Sequence, residues 1–439
     1  MQKTSRRKLF YSLVILFFLI GGSTIFYIEG WRVDIVTLSI QKIGAIYVRS
    51  FPEEATLLIN NRPIKRNLGL FQTGTLINHL FPKTYEVKLS FPNYQPWQMH
   101  VAVEPSLVSE IKYAVLVPAK PTLVFSGPIK NFWVMNQEVI VKNEQGNLIA
   151  RGQNISGNHV SDWTNDLKNV LTLDEKTNTY FWNNLEDGSI INISSALQRA
   201  SLLAGKPTEV LVDREANSRL ILIATSSISL FDIQKNSLTA VYSEKNSTTI
   251  NAALSRFWLT WTIFDKKNNT SRLFLYDRFL GTRKSPLPIL QGKTKKMAWA
   301  TNNRIGILQE GGEFYLYDVA TDALSKLASD VKDFAFTEKG SRVAALEHKS
   351  FEVFSLEGQE DYWRFNPKDV EQAQSVRWYR DEQHLFIEYP GSVAFLDLRD
   401  SGQENFQTVT KTTRSQYDPL SNQFYFLENG KLLRLDFPG

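Results

Sequence analysis

The chain has 439 residues, of which 43% are hydrophobic, 12% aromatic and 22% charged, and it contains no cysteine. A chain of this length predicts two or three domains, and the composition excludes disorder over most of it. The lack of cysteine excludes disulfides, thiolate metal sites, thiol catalysis and a lipid anchor on an N-terminal cysteine.

The excess of positive charge is concentrated at the N-terminus. Four of the 50 basic residues are Lys3, Arg6, Arg7 and Lys8. The other 46 nearly balance the 45 acidic residues of the chain. A protein that binds a phosphate backbone needs its cations clustered on the folded part of the chain. We therefore expect no nucleic-acid partner.

Leu9–Ile28 is a run of 20 residues without a charged side chain. At about 1.5 Å per helical residue it spans roughly 30 Å, the thickness of the hydrocarbon core of a bilayer. The basic residues precede the run, so the positive-inside rule predicts a cytoplasmic tail (1–8), a single transmembrane anchor (9–28) in the cytoplasmic membrane, a juxtamembrane linker (29–43) and an extracytoplasmic remainder.

A cleaved signal peptide is the alternative interpretation, with Gly21-Gly22-Ser23 as the small residues of a cleavage site. The apolar run resumes after Ser23 and continues to Ile28. This continuation favours a retained anchor.

Residues 44–117 have a β pattern throughout. Short runs rich in β-branched and aromatic residues alternate with turn residues such as Pro52, Asn60-Asn61 and Pro92-Asn93. The segment is long enough for a small antiparallel β-sandwich.

These residues resemble the PEGA domain, a small β-sandwich module of exported bacterial and archaeal proteins. The family has Ser-x-Pro-x-x-Ala after its first strand and Asp/Asn-Gly after its second, which Ser50–Ala55 and Asn60-Asn61 match. Pro82–Val87 and Asn93-Tyr94 stand where the family has Pro-Gly-x-Tyr-x-Val and Gly-Tyr. A generic immunoglobulin-like sandwich is the alternative.

Four positions depart from the PEGA pattern, because Glu54, Lys83, Asn93 and Asn61 replace glycines. Asparagine adopts positive φ readily, so we expect Asn61 and Asn93 to keep the turns of the family. Glutamate and lysine adopt it poorly, so we expect the turns at Glu54 and Lys83 to be built differently.

One short motif recurs through the rest of the chain, an apolar strand that ends in an acidic or polar residue. Its copies are Tyr180–Asn183, Ser229–Asp232, Phe274–Asp277, Tyr315–Asp318, Glu352–Ser355, Ala394–Asp397 and Leu433–Asp436, with Asn147–Ala150 as a degraded earlier copy. The steps between the last residues of the seven copies are 49, 45, 41, 37, 42 and 39. The recurring aspartate is expected to cap the turn that leaves the strand.

A period near 40 residues with three or four short strands is typical of the blades of a β-propeller. The spacing predicts seven or eight blades over residues 118–439, closed by pairing of the segment Pro121–Phe125 with the hairpin Phe424–Phe437. The copies resemble the propellers of TolB-like and tryptophan-aspartate-repeat proteins. The expected fold class is therefore all-β with one N-terminal transmembrane helix, a small antiparallel sandwich and a seven- or eight-bladed propeller.

The sequence carries no catalytic signature. It lacks Gly-x-Ser-x-Gly, Gly-x-x-x-x-Gly-Lys and His-Glu-x-x-His motifs, and its carboxylate pairs, such as Glu360-Asp361 and Asp381-Glu382, are expected to lie in solvated turns. The five histidines are dispersed and are expected to be ordinary surface or packing residues: His79, His100, His159, His348 and His384. We predict no catalytic, cofactor-binding or metal-binding residues and no cofactor.

These observations favour a non-enzymatic, membrane-anchored binding or scaffold protein of the bacterial cell envelope. The propeller is its interaction platform for a protein or an envelope polymer, and the PEGA-like domain is a spacer or surface-binding module. The alternative is a carbohydrate-active envelope enzyme with a carboxylate site in the propeller channel. A sensory scaffold is a third hypothesis, disfavoured because only eight residues remain inside.

Overall fold

A computed structural model describes residues 3–35, 38–65, 73–194, 207–244, 250–284, 287–301, 303–357, 362–367, 369–399, 406–412 and 414–439. It divides into two compact units. One holds residues up to Lys120 together with Phe437–Gly439, and the other runs from Pro121 to Asp436.

The first unit begins with helix α1, Lys3–Ile28. Its apolar part, Leu9–Ile28, is long enough to cross a membrane, and none of it is buried against the rest of the protein. A core helix of a soluble domain would bury one face, so this exposure agrees with a lipid-facing or signal helix. The helix ends where Gly30 takes a positive φ of 86° and its N–H bonds to the carbonyl of Tyr27.

Two strands and a sandwich follow the helix. The short hairpin consists of β1 (Trp31–Asp34) and β2 (Ser39–Lys42). The sandwich pairs a three-stranded sheet of order β6-β3-β9 with a four-stranded sheet of order β5-β4-β7-β8. Its strands are β3 (Gly44–Phe51), β4 (Thr56–Ile59), β5 (Arg62–Ile64), β6 (Thr75–Leu80), β7 (Thr84–Ser90), β8 (Trp97–Ala102) and β9 (Val108–Val115).

Alternating side chains of both sheets form the core of the sandwich, with Ile46, Leu57, Val87 and Trp97 nearly or fully buried. The prediction of an antiparallel sandwich is wrong for one pair of strands, because β3 and β9 run parallel. A parallel pair needs a long crossover connection, and here strands β4 to β8 supply it.

The turns of the sandwich follow the expectations from the sequence. Asn61 and Asn93 have positive φ values of 62° and 65°. Glu54 and Lys83 are not in this conformation, so these two turns are built without the backbone geometry that a glycine would allow.

In the described part of the second unit, eight successive sheets have four or five strands each, and we number them as blades 1 to 8. The sequence period is compatible with either seven or eight blades. Blade 1 comprises β11 (Ile129–Met135), β12 (Glu138–Asn143), β13 (Leu148–Ala150) and β14 (Gln153–Ile155), and blade 2 comprises β15 (His159–Trp163), β16 (Asn169–Asp174), β17 (Thr179–Asn184) and β18 (Ile190–Asn192). Blade 3 comprises β19 (Pro207–Val212), β20 (Arg219–Ala224), β21 (Ser227–Asp232) and β22 (Ser237–Ser243). Blade 4 comprises β23 (Ile250–Leu254), β24 (Trp258–Asp265), β25 (Thr270–Asp277), β26 (Thr282–Lys284) and β27 (Ile289–Gln291).

Blades 5 to 7 repeat the same order of strands. Blade 5 comprises β28 (Thr294–Trp299), β29 (Arg304–Gln309), β30 (Phe314–Asp318) and β31 (Ala323–Ala328). Blade 6 comprises β32 (Val331–Phe336), β33 (Arg342–Glu347), β34 (Phe351–Ser355) and β35 (Tyr362–Phe365). Blade 7 comprises β36 (Ser375–Trp378), β37 (His384–Tyr389), β38 (Ser392–Asp397) and β39 (Gln407–Thr410). A 3-10 turn, Val370–Gln372, precedes blade 7.

Blade 8 closes the ring. It combines the N-terminal strand β10 (Thr122–Phe125) with β40 (Ser415–Asp418), β41 (Gln423–Glu428) and β42 (Lys431–Asp436). Strand β10 pairs with β42, with Thr122 opposite Arg434. The pairing predicted from the sequence is thereby confirmed.

Apolar side chains join the neighbouring blades around the ring. Ile221 of blade 3 packs with Trp261 of blade 4, and Phe386 of blade 7 stacks on Phe424 of blade 8 with ring centroids 5.1 Å apart. One blade alone would leave both of its apolar faces in water, so closure of the ring buries surface that no single repeat could bury.

The recurring aspartates cap turns, as predicted. Asp277 accepts hydrogen bonds from the N–H groups of Phe279 and Leu280, and Asp318 accepts them from Ala320 and Thr321. In blade 2 the capping residue lies one position later than the sequence motif indicates.

In that blade Asn184 caps the turn, because its side chain accepts bonds from the N–H groups of Glu186 and Asp187. Asn183 is buried and bonds to Thr172.

Candidate functional site

The first strands of neighbouring blades lie side by side around the axis of the ring, as β28, β32 and β36 do. Side chains that are far apart in sequence therefore meet there. Three pockets in the described part of the propeller differ in the balance of basic and acidic residues that line them.

The first pocket lies across the first strands of blades 5, 6 and 7 and has a volume of about 540 Å³. Four cations and one carboxylate line it, and we call it the cationic pocket: Lys295, Lys296, Lys332, Asp333 and Arg377.

Hydrogen bonds between blades fix these cations. Lys332 Nζ donates to the carbonyl oxygens of Glu371 and Ala373, at 2.9 and 3.2 Å. Lys296 Nζ lies 2.7 Å from Asp333 Oδ1. The side chains are thus held in place before any partner arrives, which lowers the entropy cost of binding.

The electrostatics of the cationic pocket favour an anion. Burial lowers the pKa of Lys332, while Asp330 and Glu371 oppose that shift. Of the four cations, Arg377 pairs with a carboxylate outside the lining, Glu388, at 3.0 Å. The surplus of positive charge around a solvent-filled space would attract a ligand with carboxylate, sulfate or phosphate groups.

The second pocket, about 410 Å³, lies where the first strands of blades 2, 3 and 4 end. Its arginines are matched by carboxylates. Arg214 pairs with Asp162 at 3.5 Å and Arg256 with Glu215 at 3.8 Å.

The third arginine of this pocket, Arg278, is almost fully buried and pairs with the buried Asp213. Arg219 Nε also donates to Asp213, at 2.5 Å. This network holds three blades' turns together and leaves little unbalanced charge for a ligand.

The third pocket, about 660 Å³, lies at the turns of blades 1 and 2. Three lysines and three acidic residues line it, so it too is nearly neutral: Lys130, Lys142, Lys176, Glu144, Asp174 and Glu175. The cationic pocket is therefore the candidate binding site.

Two carboxylates on neighbouring first strands bear on the enzymatic alternative. Burial and the nearby Asp162 raise the pKa of Glu209, and a carboxyl group with a raised pKa is the proton donor of many glycosidases. Both oxygens of Asp162 already accept backbone hydrogen bonds, from Trp163 and Val212 at 2.9 and 2.8 Å. Asp162 thus has a structural part in joining blades 2 and 3.

Of the carboxylate pairs singled out in the sequence, Glu360-Asp361 lies outside the described residues. The prediction of a solvated turn is wrong for Asp381-Glu382, which is half-buried. Glu382 accepts a hydrogen bond from Ser341 of blade 6 at 2.8 Å. Asp381 accepts bonds from the N–H groups of Gln383 and His384.

One histidine is unlike the other four. His384 is only 1% exposed, and its Nδ1 and Nε2 atoms lie 2.7 Å from Asp381 and 3.4 Å from Asp397. Burial by itself lowers the pKa of His384, but the two aspartates outweigh it and raise the pKa to about 9. The dispersed spacing of the histidines gave no sign of this cluster, although Asp-x-x-His before a strand is a local clue.

The remaining histidines make isolated contacts. His159 lies edge-on to Trp133, and His348 lies 2.7 Å from Asp330 at the surface; His79 and His100 lie on strands of the sandwich. No group of three or more His, Asp or Glu side chains in the described ranges is arranged to hold a metal ion.

Comparison with known proteins supports both domains. Residues 43–116 match the PEGA domain model, and the resemblance seen in the sequence is confirmed. No curated protein matches the chain.

Solved structures similar to the chain are β-propellers. The Dos1 propeller has a TM-score of 0.50 at 13% identity, over 73% of this chain and 94% of that one. An oligogalacturonate lyase from Vibrio parahaemolyticus (TM-score 0.44, 12% identity, 72% and 98%) and the Cps50 (Swd1) β-propeller domain of Myceliophteria thermophila (TM-score 0.43, 9% identity, 72% and 99%) are also similar. At these identities the likeness concerns the fold alone. The family match and the likeness to the Dos1 propeller describe a PEGA domain followed by a β-propeller.

Proposed function

We propose that this protein is a non-enzymatic binding scaffold of the bacterial cell envelope, anchored in the cytoplasmic membrane by one helix. The observation that carries the proposal is the order of its parts: an unburied apolar helix, a PEGA domain and a closed propeller in one chain. The propeller is the interaction platform, and the PEGA domain is a spacer or surface-binding module.

The distribution of charge supports an extracytoplasmic propeller. Lys3, Arg6, Arg7 and Lys8 precede the span, whereas Arg32 is the one basic residue in the sequence from Glu29 to Gln41 that follows it. Basic residues next to a span remain on the cytoplasmic side.

Labelling of single cysteines tests this topology, since the natural chain has none. In intact spheroplasts a membrane-impermeant maleimide should label Lys326→Cys, on the exposed outer strand of blade 5, and should label Gln2→Cys only after lysis. Full-length mass of the labelled Gln2→Cys chain would support a retained anchor over a cleaved signal peptide. Labelling of Gln2→Cys in intact spheroplasts would refute the proposed orientation.

The cationic pocket favours an acidic partner, either an acidic protein surface or an anionic envelope polymer. The full-length protein in nanodiscs should bind a polyanion such as polygalacturonate more tightly than an uncharged polysaccharide, and the affinity should fall with salt. The double variant Lys295→Gln, Arg377→Gln should weaken binding about tenfold, because the loss of complementary charge affects both encounter and affinity.

Lys326→Glu is the matched control, since it changes an exposed cation outside the pocket. Equal losses for the control and the double variant would show that binding follows overall charge rather than the pocket.

The enzymatic alternative rests on Glu209 and Asp162. It requires shortening of an acidic polysaccharide by the purified protein, and loss of that activity in Glu209→Gln. Binding without any change in polymer length would support the scaffold.

A further inference from the structure

The short hairpin after the span has two chemically different faces. Strands β1 and β2 pair with Val33 opposite Ile40 and Trp31 opposite Lys42, so these four side chains share one face. Arg32 and Gln41 are opposite each other on the other face, as are Asp34 and Ser39.

The first face is apolar and unusually exposed. Val33 is 59% and Ile40 55% exposed, and Ile35 and Leu38, which flank the turn, are 84% and 83% exposed. Four aliphatic side chains in one short hairpin exceed the scattered exposure that a soluble surface shows, and such a patch marks an interaction site.

Contacts with the end of α1 hold the hairpin close to the span. The ring of Trp31 stacks on Phe26 with centroids 5.3 Å apart. The guanidinium of Arg32 lies 3.5 Å from the centre of the Tyr27 ring, and it donates to the Tyr27 carbonyl at 2.8 Å.

The base of the hairpin is also tied to the helix terminus, because the N–H of Ile43 donates to the carbonyl of Gly30 at 3.0 Å. The apolar face therefore begins three residues after the last residue of the span, Ile28.

We propose that the apolar face of this hairpin lies in the interfacial region of the bilayer. The membrane anchor then consists of the transmembrane helix and a hairpin that lies on the membrane surface next to it. The occupant is the bilayer, because the hairpin is continuous with the span and held to its end. Tyr27, Trp31, Arg32 and Lys42 are the aromatic and basic residue types that favour the headgroup region. The inference rests on the proposed anchoring by α1.

Single cysteines on opposite faces of the hairpin provide the test. Ile40→Cys and Leu38→Cys lie on the apolar side, and Gln41→Cys, one residue further on, is the matched control on the polar face. Each full-length variant is labelled with an environment-sensitive fluorophore in vesicles of phosphatidylcholine and phosphatidylglycerol.

Nitroxide lipids should quench the label at positions 40 and 38 at least about twofold more strongly than at position 41, and aqueous iodide should show the reverse order. Equal quenching by iodide at all three positions would overturn the proposal. Protection at position 40 that disappears when the protein is diluted in the membrane would also overturn it, in favour of a second copy as the occupant.

Flotation of the vesicles separates the two levels of inference. Protein that does not float with the vesicles would contradict anchoring by α1 itself. Protein that floats but exposes position 40 to iodide would contradict the hairpin proposal alone.

Discussion

At the scale of single residues, His384 links three parts of blade 7. Its ring lies between Asp381, in the turn before β37, and Asp397, at the end of β38, and it stacks on Phe395 with centroids 4.8 Å apart. Asp397 also pairs with Arg399 at 2.7 Å. A charged imidazole in this position is stable only because both aspartates compensate its burial.

Because the stability of the propeller depends on the protonation of His384, we expect the propeller to become less stable at alkaline pH. The pKa is raised from 6.5 to about 9 in the folded state, so the stabilisation is complete below pH 6.5 and is lost as the pH rises through 9. The shift corresponds to about 3 kcal/mol. Chemical unfolding of the full-length protein in detergent, followed by tryptophan fluorescence, should show a loss of that size.

His384→Gln should lower the free energy of unfolding at pH 7 by about 3–5 kcal/mol, because Asp381 and Asp397 lose the cation between them and only Asp397 keeps another, Arg399. It should also remove most of the decline between pH 6.5 and 9. His348→Gln, at an exposed position, is the control and should retain the decline. An unchanged pH profile in His384→Gln would contradict the assigned charge.

Gly340 is a second residue whose identity the fold requires. It has φ of 69°, and a Cβ there would meet the backbone carbonyl of Ala300 in the neighbouring blade. Gly391 has a similar φ of 84°, but a Cβ there meets no atom within 4 Å. A comparison of substitutions at the two glycines therefore separates the effect of backbone strain from the effect of a steric clash with Ala300.

We expect Gly340→Ala to destabilise the protein by more than about 2 kcal/mol and Gly391→Ala by only about 1 kcal/mol, since strain alone acts at the latter. The midpoints of urea unfolding measure both. Equal losses would mean that blades 5 and 6 do not approach each other closely at this turn.

At the scale of elements, β10 has a special part because it brings the N-terminal end of the propeller to its last blade. Thr122 lies opposite Arg434 in the pairing of β10 with β42. Directly opposite residues of an antiparallel pair are at a Cα distance of about 4.5–5.5 Å, which suits a disulfide.

The double variant Thr122→Cys, Arg434→Cys should therefore form a disulfide in the otherwise cysteine-free chain. Oxidation should raise the free energy of unfolding by about 2–4 kcal/mol, because the bond closes a long loop in the unfolded chain. The reduced protein and the two single variants are the controls. Failure of the oxidised chain to form an internal crosslink would refute the register of β10 and β42.

At the scale of the whole propeller, closure makes the blades depend on one another. Each blade shares an apolar cluster with its neighbours, and Leu346 of blade 6 is fully buried in the cluster with blade 7. In an open repeat array a weakened repeat frays locally, whereas a closed ring has no free end from which to unfold.

Leu346→Ala should cost about 2–5 kcal/mol through the lost contacts and the cavity. Hydrogen exchange should then show reduced protection of the second and third strands in all eight blades, not only in blades 6 and 7. Lys326→Ala on the exposed outer strand is the control. Loss of protection confined to blades 6 and 7 would contradict cooperative closure.

The features that depend on local pattern could be predicted from the amino-acid sequence alone. The uncharged run from Leu9 needs only its length, the turns at Asn61 and Asn93 need only residues that tolerate positive φ, and the capping aspartates recur because each blade repeats the same turn. The closing strand was also predictable, since propellers are often completed by a strand from the N-terminal end of the domain.

Other features depend on which strands lie side by side, and these follow only from long-range packing. Lys295, Lys332 and Arg377 meet in one pocket because the first strands of blades 5, 6 and 7 surround the same axis. The parallel pairing of β3 with β9 and the burial of His384 likewise arise from long-range packing. A sequence period fixes the repeat, but the charge on the inner surface of the ring comes from residues that only closure brings together.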